Sequence, residues 1–203
     1  MGAIGMRREI SPRGAFVVLV GPDGVGKTTV ARALTAAYDG PTAYFHFLPA
    51  VGRALPSHPG VDGTRPPHAG ESGARVLGWV RLLRNLARCL AGYFATVRPA
   101  CRRGALVVGD RWIYGYLVQP QALRFYGPHW VAEAAIRLVP PPDLVVNLSA
   151  PAETVLDRKQ ELTPDQVSAE LTAWSGLRHG RVKTFDATEP PAMIATRILE
   201  ALR

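Results

Sequence analysis

Lysine is nearly absent from this 203-residue chain: Lys27, Lys159 and Lys183 are the only three, so arginine supplies 21 of the 24 basic residues. A formal net charge of +8 points first to nucleic acid, yet the arginines are dispersed and form no run. With so much alanine, glycine and proline beside them, they suggest a GC-rich coding sequence, and an anionic small molecule would use the same field. A nucleic-acid interface is therefore not expected. Cysteine is scarce too. Cys89 and Cys101 make neither a disulfide framework nor a zinc spacing, so a reducing, cytoplasmic location is expected. The five histidines show no metal spacing either. Apolar runs such as "AFVVLV" (Ala15–Val20) fall far short of the roughly 18 residues a membrane span requires. The N-terminus lacks a signal-type apolar stretch, and Met6 stands where a myristoylation signal wants Ser or Thr.

What remains is the composition of a globular protein, 47% hydrophobic and 20% charged, at a length that fits one domain over residues 1–203. Residues 1–13 read as a flexible N-terminus. "AFVVLV" reads as a strand buried on both faces, followed by a helix over Lys27–Tyr38 and a second strand over Thr42–Leu48. Residues 49–73 are rich in Pro, Gly and His without periodicity, which predicts a partly ordered, mobile loop on the acceptor side. The longest helix is expected from Ala74 to about Arg98. Val76, Val80, Leu83, Ala87, Leu90 and Phe94 draw one apolar stripe along it, with Arg81, Arg84 and Arg88 off the stripe. Strands follow at Ala105–Asp110, Pro142–Leu148 and Arg181–Ala187, and helices at Glu153–Gln160, Thr163–Leu177 and Pro191–Leu202. Strands alternating with helices predict a parallel sheet covered on both faces, a three-layer α/β/α sandwich.

Between the first strand and the first helix stands "GPDGVGKTT", in full Gly21, Pro22, Asp23, Gly24, Val25, Gly26, Lys27, Thr28 and Thr29. The spacing Gly-x-x-x-x-Gly-Lys-Thr in that context is a phosphate-binding loop. Its glycines let successive backbone N–H groups turn inward around nucleotide phosphates, and the start of the helix adds its positive dipole. Lys27 would bridge β- and γ-phosphate oxygens, and the Thr28 hydroxyl would ligate Mg²⁺. No "NKxD" guanine signature occurs, which argues against a GTPase. The strand "VVGDRW" ends in Asp110-Arg111 with no paired carboxylates, which argues against a helicase or motor ATPase.

At these residues the chain resembles the thymidylate kinases, within the nucleoside monophosphate kinases. "GPDGVGKT" is similar to their loop, Asp110-Arg111-Trp112 to their Asp-Arg-Tyr, "PDLVVNLSAPAETVLDR" to their fourth strand and following helix, and "FDATEPP" to their last strand. The resemblance covers Ala15 to Leu202. It implies a P-loop fold with a five-stranded parallel sheet in the order 2-3-1-4-5, and an ATP- and Mg²⁺-dependent transfer of the γ-phosphate to a nucleoside monophosphate. It further implies roles for single residues. Asp23 would contact the acceptor hydroxyl or orient a phosphate-bound cation, and Asp110 would hold Mg²⁺. Arg111 would neutralise phosphate oxygens, and Arg158, beside Lys159, would stabilise the transition state from a lid over 158–164. Thymidylate kinases are commonly dimers; the apolar stripe offers either a subunit contact or the face that packs on the sheet.

The departures from that family lie on one side. Its acceptor-holding Arg-Glu-Pro-Gly is absent, and "FHFLPAVGR" stands there, with His46, Pro49 and Arg53. Its arginine-rich lid is reduced, and an aspartate of its fourth strand is Ser149 here. The donor side is intact, while the acceptor stays open among dTMP or a related nucleotide, a nucleoside or sugar hydroxyl, and no acceptor at all, as in a regulatory ATPase. Phe45, Phe47, Trp112, Tyr114, Tyr116 and Tyr126 read mainly as core, with base or sugar stacking as the alternative.

Overall fold

A computed structural model of the chain describes residues 13–51, 54–59, 75–158 and 163–203. Five strands form one parallel sheet in the order β2-β3-β1-β4-β5, as expected: β1 (Phe16–Val20), β2 (Thr42–His46), β3 (Leu106–Asp110), β4 (Leu144–Ser149) and β5 (Val182–Asp186). The three central strands are almost wholly apolar because both their faces are covered. The helices are α1 (Lys27–Ala37), α2 (Arg75–Gly92), α3 (Arg98–Arg102), α4 (Gly115–Val118), α5 (His129–Arg137), α6 (Ala152–Arg158), α7 (Pro164–Ser175) and α8 (Pro191–Ala201). No described helix is long and apolar enough to cross a membrane.

Alternate residues of each strand feed two separate cores. On one face Phe16, Val18, Phe45, Val107 and Val145 pack with Leu82 and Leu86 of α2, Ile136 of α5 and Trp174 of α7. On the other, Val17, Leu19, Val108 and Val146 pack with Leu34 of α1, Ile198 of α8 and Val167 of α7. Helix α7 thus contributes to both cores. Trp112, Tyr114 and Tyr116 are buried in the first, so these aromatics serve packing; Trp112 meets Phe16 and Phe45 at 5.2 and 5.3 Å between ring centroids. Tyr126 stays outside, about half exposed.

Three expectations need amending. The strand after α1 stops at His46, because Phe47 turns into the left-handed region (φ 61°) and donates its N–H to Asp110 O at 2.8 Å. The long helix does not end near Arg98. A π turn at Tyr93–Val97 joins α2 to α3, next to Pro99, which cannot supply a helical N–H. Most of the described apolar stripe faces outward: Val80, Leu83 and Phe94 are 56%, 63% and 51% exposed, while Leu90 is half-buried against the first core. A second apolar row, Leu82, Leu86 and Cys89, took the sheet instead. Ala74 lies outside the described residues. Helix α5 and the short turns between Trp112 and Val118 were not foreseen.

Of the proline-rich segment 49–73, residues 49–51 and 54–59 are described. Pro56 O accepts from Tyr44 N–H at 2.6 Å and Ser57 O from the Thr42 hydroxyl at 2.8 Å, so this stretch covers the open edge of β2. The rest of the segment, residues 1–12 and residues 159–162 lie outside the described residues.

Candidate nucleotide-binding site

All five strands end on one side of the sheet, and that edge collects the polar groups. Register sets the level: Leu19 of β1 and His46 of β2 both lie opposite Asp110 of β3. In open parallel sheets the crevice beyond the carboxyl ends of the strands is where ligands sit.

The loop after β1 is left-handed at three points, Gly21 (φ 138°), Gly24 (φ 84°) and Gly26 (φ 108°). At Gly21 the requirement is steric as well, since a Cβ there would stand 2.5 Å from the carbonyl oxygen of Leu148. The loop curls back on itself, and α1 starts immediately, with Val30 N–H donating to Gly26 O at 3.0 Å. Lys27 is 7% exposed. Its ammonium donates to the carbonyls of Gly21 (2.9 Å) and Pro22 (2.7 Å) and lies 3.6 Å from the Asp23 carboxylate. Burying an ammonium is tolerated because these oxygens replace its water. Thr28 is half-buried in the first turn of α1 and Thr29 is exposed.

Asp23 also forms an ion pair with Arg111, so one carboxylate lies between two cations. The Arg111 backbone is bent sharply: φ is 70° there and 50° at Trp112, two consecutive left-handed side-chain-bearing residues. Such conformations cost on the order of 1–3 kcal/mol each and persist where surrounding structure imposes them. The Arg111 N–H donates to Leu19 O at 2.9 Å, and Trp112 is locked in the core. Burial lowers the Arg111 pKa from its ordinary value, and the negative charge of Glu170 on α7 opposes that shift.

Asp110 is 4% exposed. Its Oδ2 accepts from the Tyr44 hydroxyl at 3.3 Å and lies 3.4 Å from His46 Nδ1, while its Oδ1 is buried without a hydrogen-bond partner. A buried, orphaned carboxylate oxygen is a hard donor beside the phosphate loop, which suits Mg²⁺ or a water bound to it. Arg158, the last residue of α6, reaches the loop, donating to Val25 O at 3.2 Å and Ala187 O at 3.4 Å. The structure therefore gathers Asp23, Lys27, Thr28, Asp110, Arg111 and Arg158 at one edge. Lys159 lies outside the described residues.

Two partners escaped the sequence. Tyr44 stands inside an apolar strand run and Glu170 inside a helix, and neither carried a local signal. Asn147 was readable as a polar residue inside "LVVNL", and it is 3% exposed, its amide N–H 3.4 Å from the Thr184 hydroxyl. The remaining histidines among the described residues find ordinary neighbours: His129 near Glu133, His179 near Tyr114 and His58 near Ser57. Among the described residues no group of three or more His, Cys, Asp or Glu forms a metal cluster.

No protein-family model matches the chain, and no curated protein matches it. Among solved structures it is similar to a thymidylate kinase from Candida albicans, with a TM-score of 0.57 and 15% sequence identity, over 94% of this chain and 91% of that one. At that identity the likeness establishes the fold alone, a five-stranded parallel sheet in the order 2-3-1-4-5 with helices around it.

Gly21→Ala is expected to lower stability by about 1–3 kcal/mol, since the new methyl meets backbone and a forbidden φ together. Gly26→Ala, whose Cβ would come no closer than 3.7 Å to the Arg158 guanidinium, should lose less. Denaturant midpoints of the two variants give the comparison, and an unshifted midpoint for Gly21→Ala would contradict the packing described.

Proposed function

We propose that the chain is an ATP- and Mg²⁺-dependent phosphotransferase of thymidylate-kinase type, passing the γ-phosphate to a nucleoside monophosphate, dTMP or a related one. The observation that carries this reading is the loop itself: three left-handed glycines around a buried ammonium, with Asp110, Arg111 and Arg158 converging beside it. Phosphoryl transfer needs positioning and positive charge more than covalent chemistry. Lys27 would exchange the Gly21 and Pro22 carbonyls for β- and γ-phosphate oxygens. Loop amides from Gly24 to Thr28 would hold the phosphate chain, supported by the dipole of α1. Thr28 and Asp110 would hold Mg²⁺, which when bound neutralises charge on the phosphates. Arg111 would turn from Asp23 toward the moving phosphoryl group, and Asp23, so released, would face the acceptor. Arg158, at the start of a reduced lid over 158–164, would leave the loop carbonyls and cover the γ-phosphate; its planar fork suits two oxygens at once. The net charge of +8 would draw an anionic nucleotide rather than serve nucleic acid. Cys89 and Cys101 are both free, their pKa values pushed up to about 12 chiefly by burial, in keeping with a reducing cytoplasm.

A second acceptor reading rests on one observation. Past the end of β2, where the family resemblance would put an arginine and a glutamate, stand the half-buried, apolar Phe47 and Leu48. An acceptor offering a nucleoside or sugar hydroxyl would suit that wall better than one offering a second phosphate.

Incubation with γ-labelled ATP, Mg²⁺ and a panel of dTMP, other monophosphates, nucleosides and phosphosugars separates the readings. Label on dTMP supports the first, and label only on alcohols selects the second. Hydrolysis without transfer, accelerated by a partner protein, would instead indicate a regulatory ATPase. Lys27→Ala should lower transfer on the order of a hundredfold or more with the sheet and both cores retained; near-normal turnover would remove Lys27 from the phosphate.

The outward stripe of α2 is, in our reading, a contact with a second copy of this chain. Val80, Leu83, Ala87 and Phe94 repeat at steps of three, four and seven, and span about 20 Å of helix. A two-fold axis lets the same stripe serve both subunits. Light scattering at tens of micromolar should show a dimer that Leu83→Glu converts to monomer; a monomeric parent protein would refute the contact.

A further inference from the structure

The chain turns back sharply where β2 ends. Phe47, a bulky residue in the left-handed region (φ 61°), donates its N–H to Asp110 O at 2.8 Å, and Leu48 donates its N–H to His46 O at 2.8 Å. A three-residue turn closed at a positive φ is the rare, strained form of the γ-turn. A side-chain-bearing residue stays in such a conformation only where its surroundings hold it there. Strand β2 holds one side of the turn. The other side runs into Pro49 and Ala50.

Those two residues are seated on the long helix at the point where its winding changes. Gly92, the last residue of α2, has ordinary helical angles (φ −66°, ψ −36°), so its own backbone makes no demand for glycine. Its neighbour does: a Cβ there would stand 2.5 Å from Pro49 Cγ and 2.7 Å from Pro49 O. One turn on, the Thr96 hydroxyl donates to the Ala50 carbonyl at 2.8 Å, sharing its proton with the Gly92 carbonyl at 2.5 Å. Thr96 lies inside the π turn Tyr93–Val97, whose Tyr93 ring packs 6.2 Å from that of Phe16 and whose Val97 is fully buried. Turns of this kind are frequent at functional sites. Pro49 is buried, and Phe47 and Leu48, just before it, lie half-buried against the first core.

We propose that Gly92 and Thr96 are positioning residues that set acceptor specificity: by seating Pro49 and Ala50 on the π turn they keep the strained turn at Phe47 closed, and so fix the apolar wall of Phe47 and Leu48 beside Asp110. That this wall meets the acceptor rests on the phosphotransferase reading above. Phe47 and Leu48 carry no charge, so the wall favours the uncharged part of an acceptor, a base or a sugar ring, and offers nothing to a second phosphate. Because the Phe47 N–H is tied to the main chain of Asp110, the wall keeps a fixed distance from the carboxylate proposed for Mg²⁺. Opening the turn changes that distance, and acceptors of other sizes then fit.

The test compares the full-length protein with Gly92→Ala, Thr96→Val and Thr96→Ser, reading amide hydrogen exchange at Phe47 and Leu48 by NMR. Thr96→Val keeps the side chain's volume and loses the donor, whereas Thr96→Ser keeps the donor. Exchange at both amides should quicken at least about tenfold in Gly92→Ala and Thr96→Val, with circular dichroism unchanged, and stay near the parent rate in Thr96→Ser. In the transfer assay the KM for the acceptor (dTMP, or thymidine if alcohols alone take label) should rise about tenfold in the first two variants. The KM for ATP should change less than about twofold, and poorly used members of the acceptor panel should gain on the preferred one. Unchanged exchange in Thr96→Val overturns the proposal, even if Gly92→Ala fails to fold. So does faster exchange without a selective rise in the acceptor KM. Faster exchange in a protein that labels no acceptor upholds the seat and sinks the phosphotransferase reading instead.

Discussion

The Lys27 ammonium, buried against two carbonyls of its own loop, is the interaction on which the site's architecture turns. A buried cation needs oxygens in place of water, and a loop of six residues can supply them only by folding its main chain around the charge. That requirement explains the left-handed turn at Gly21, where any side chain would strike Leu148. It also explains why the loop follows the central strand, flanked by β3 and β4, which deliver Asp110 and the Leu148 carbonyl to either side.

Around this centre, charges alternate. Lys27 and Arg111 are separated by Asp23, and Asp110 is separated from the arginines by its bonds to Tyr44 and its contact with His46. Without a ligand the cations satisfy one another's counter-charges and the loop's carbonyls. The proposed phosphate chain offers more oxygens than these partners do, so its entry would replace internal pairs instead of demanding new burial. The arrangement is suited to exchange, which the proposed transfer would require.

The two faces of α2 show how a real pattern can be given the wrong partner. The stripe through Val80, Leu83 and Phe94 is genuine, but the helix carries a second row through Leu82, Leu86 and Cys89. Periodicity states that a helix has an apolar side; it does not choose between two. The choice went to the row whose side chains fill the space beside Phe45 and Trp112. Residues 129–137 escaped for a related reason, since nine residues give too few turns for the helical period to stand out.

By itself the sequence determined what short-range physics governs. Glycines at Gly21, Gly24 and Gly26 specify a loop that only left-handed backbone can make, and unbroken apolar runs specify strands buried on both faces, hence a parallel sheet with helices on each side. Asp110, Arg111 and Arg158 were singled out by the resemblance of their stretches to the thymidylate kinases. Tertiary structure alone decided the rest: that Tyr44 and His46 close on Asp110, that Arg158 reaches Val25, and that α2 turns Val80 and Leu83 outward. The first two of these join residues tens of positions apart. Their meeting is set by strand register and by how helices cross the sheet, quantities that depend on the whole packed chain and leave no trace in any local window of residues.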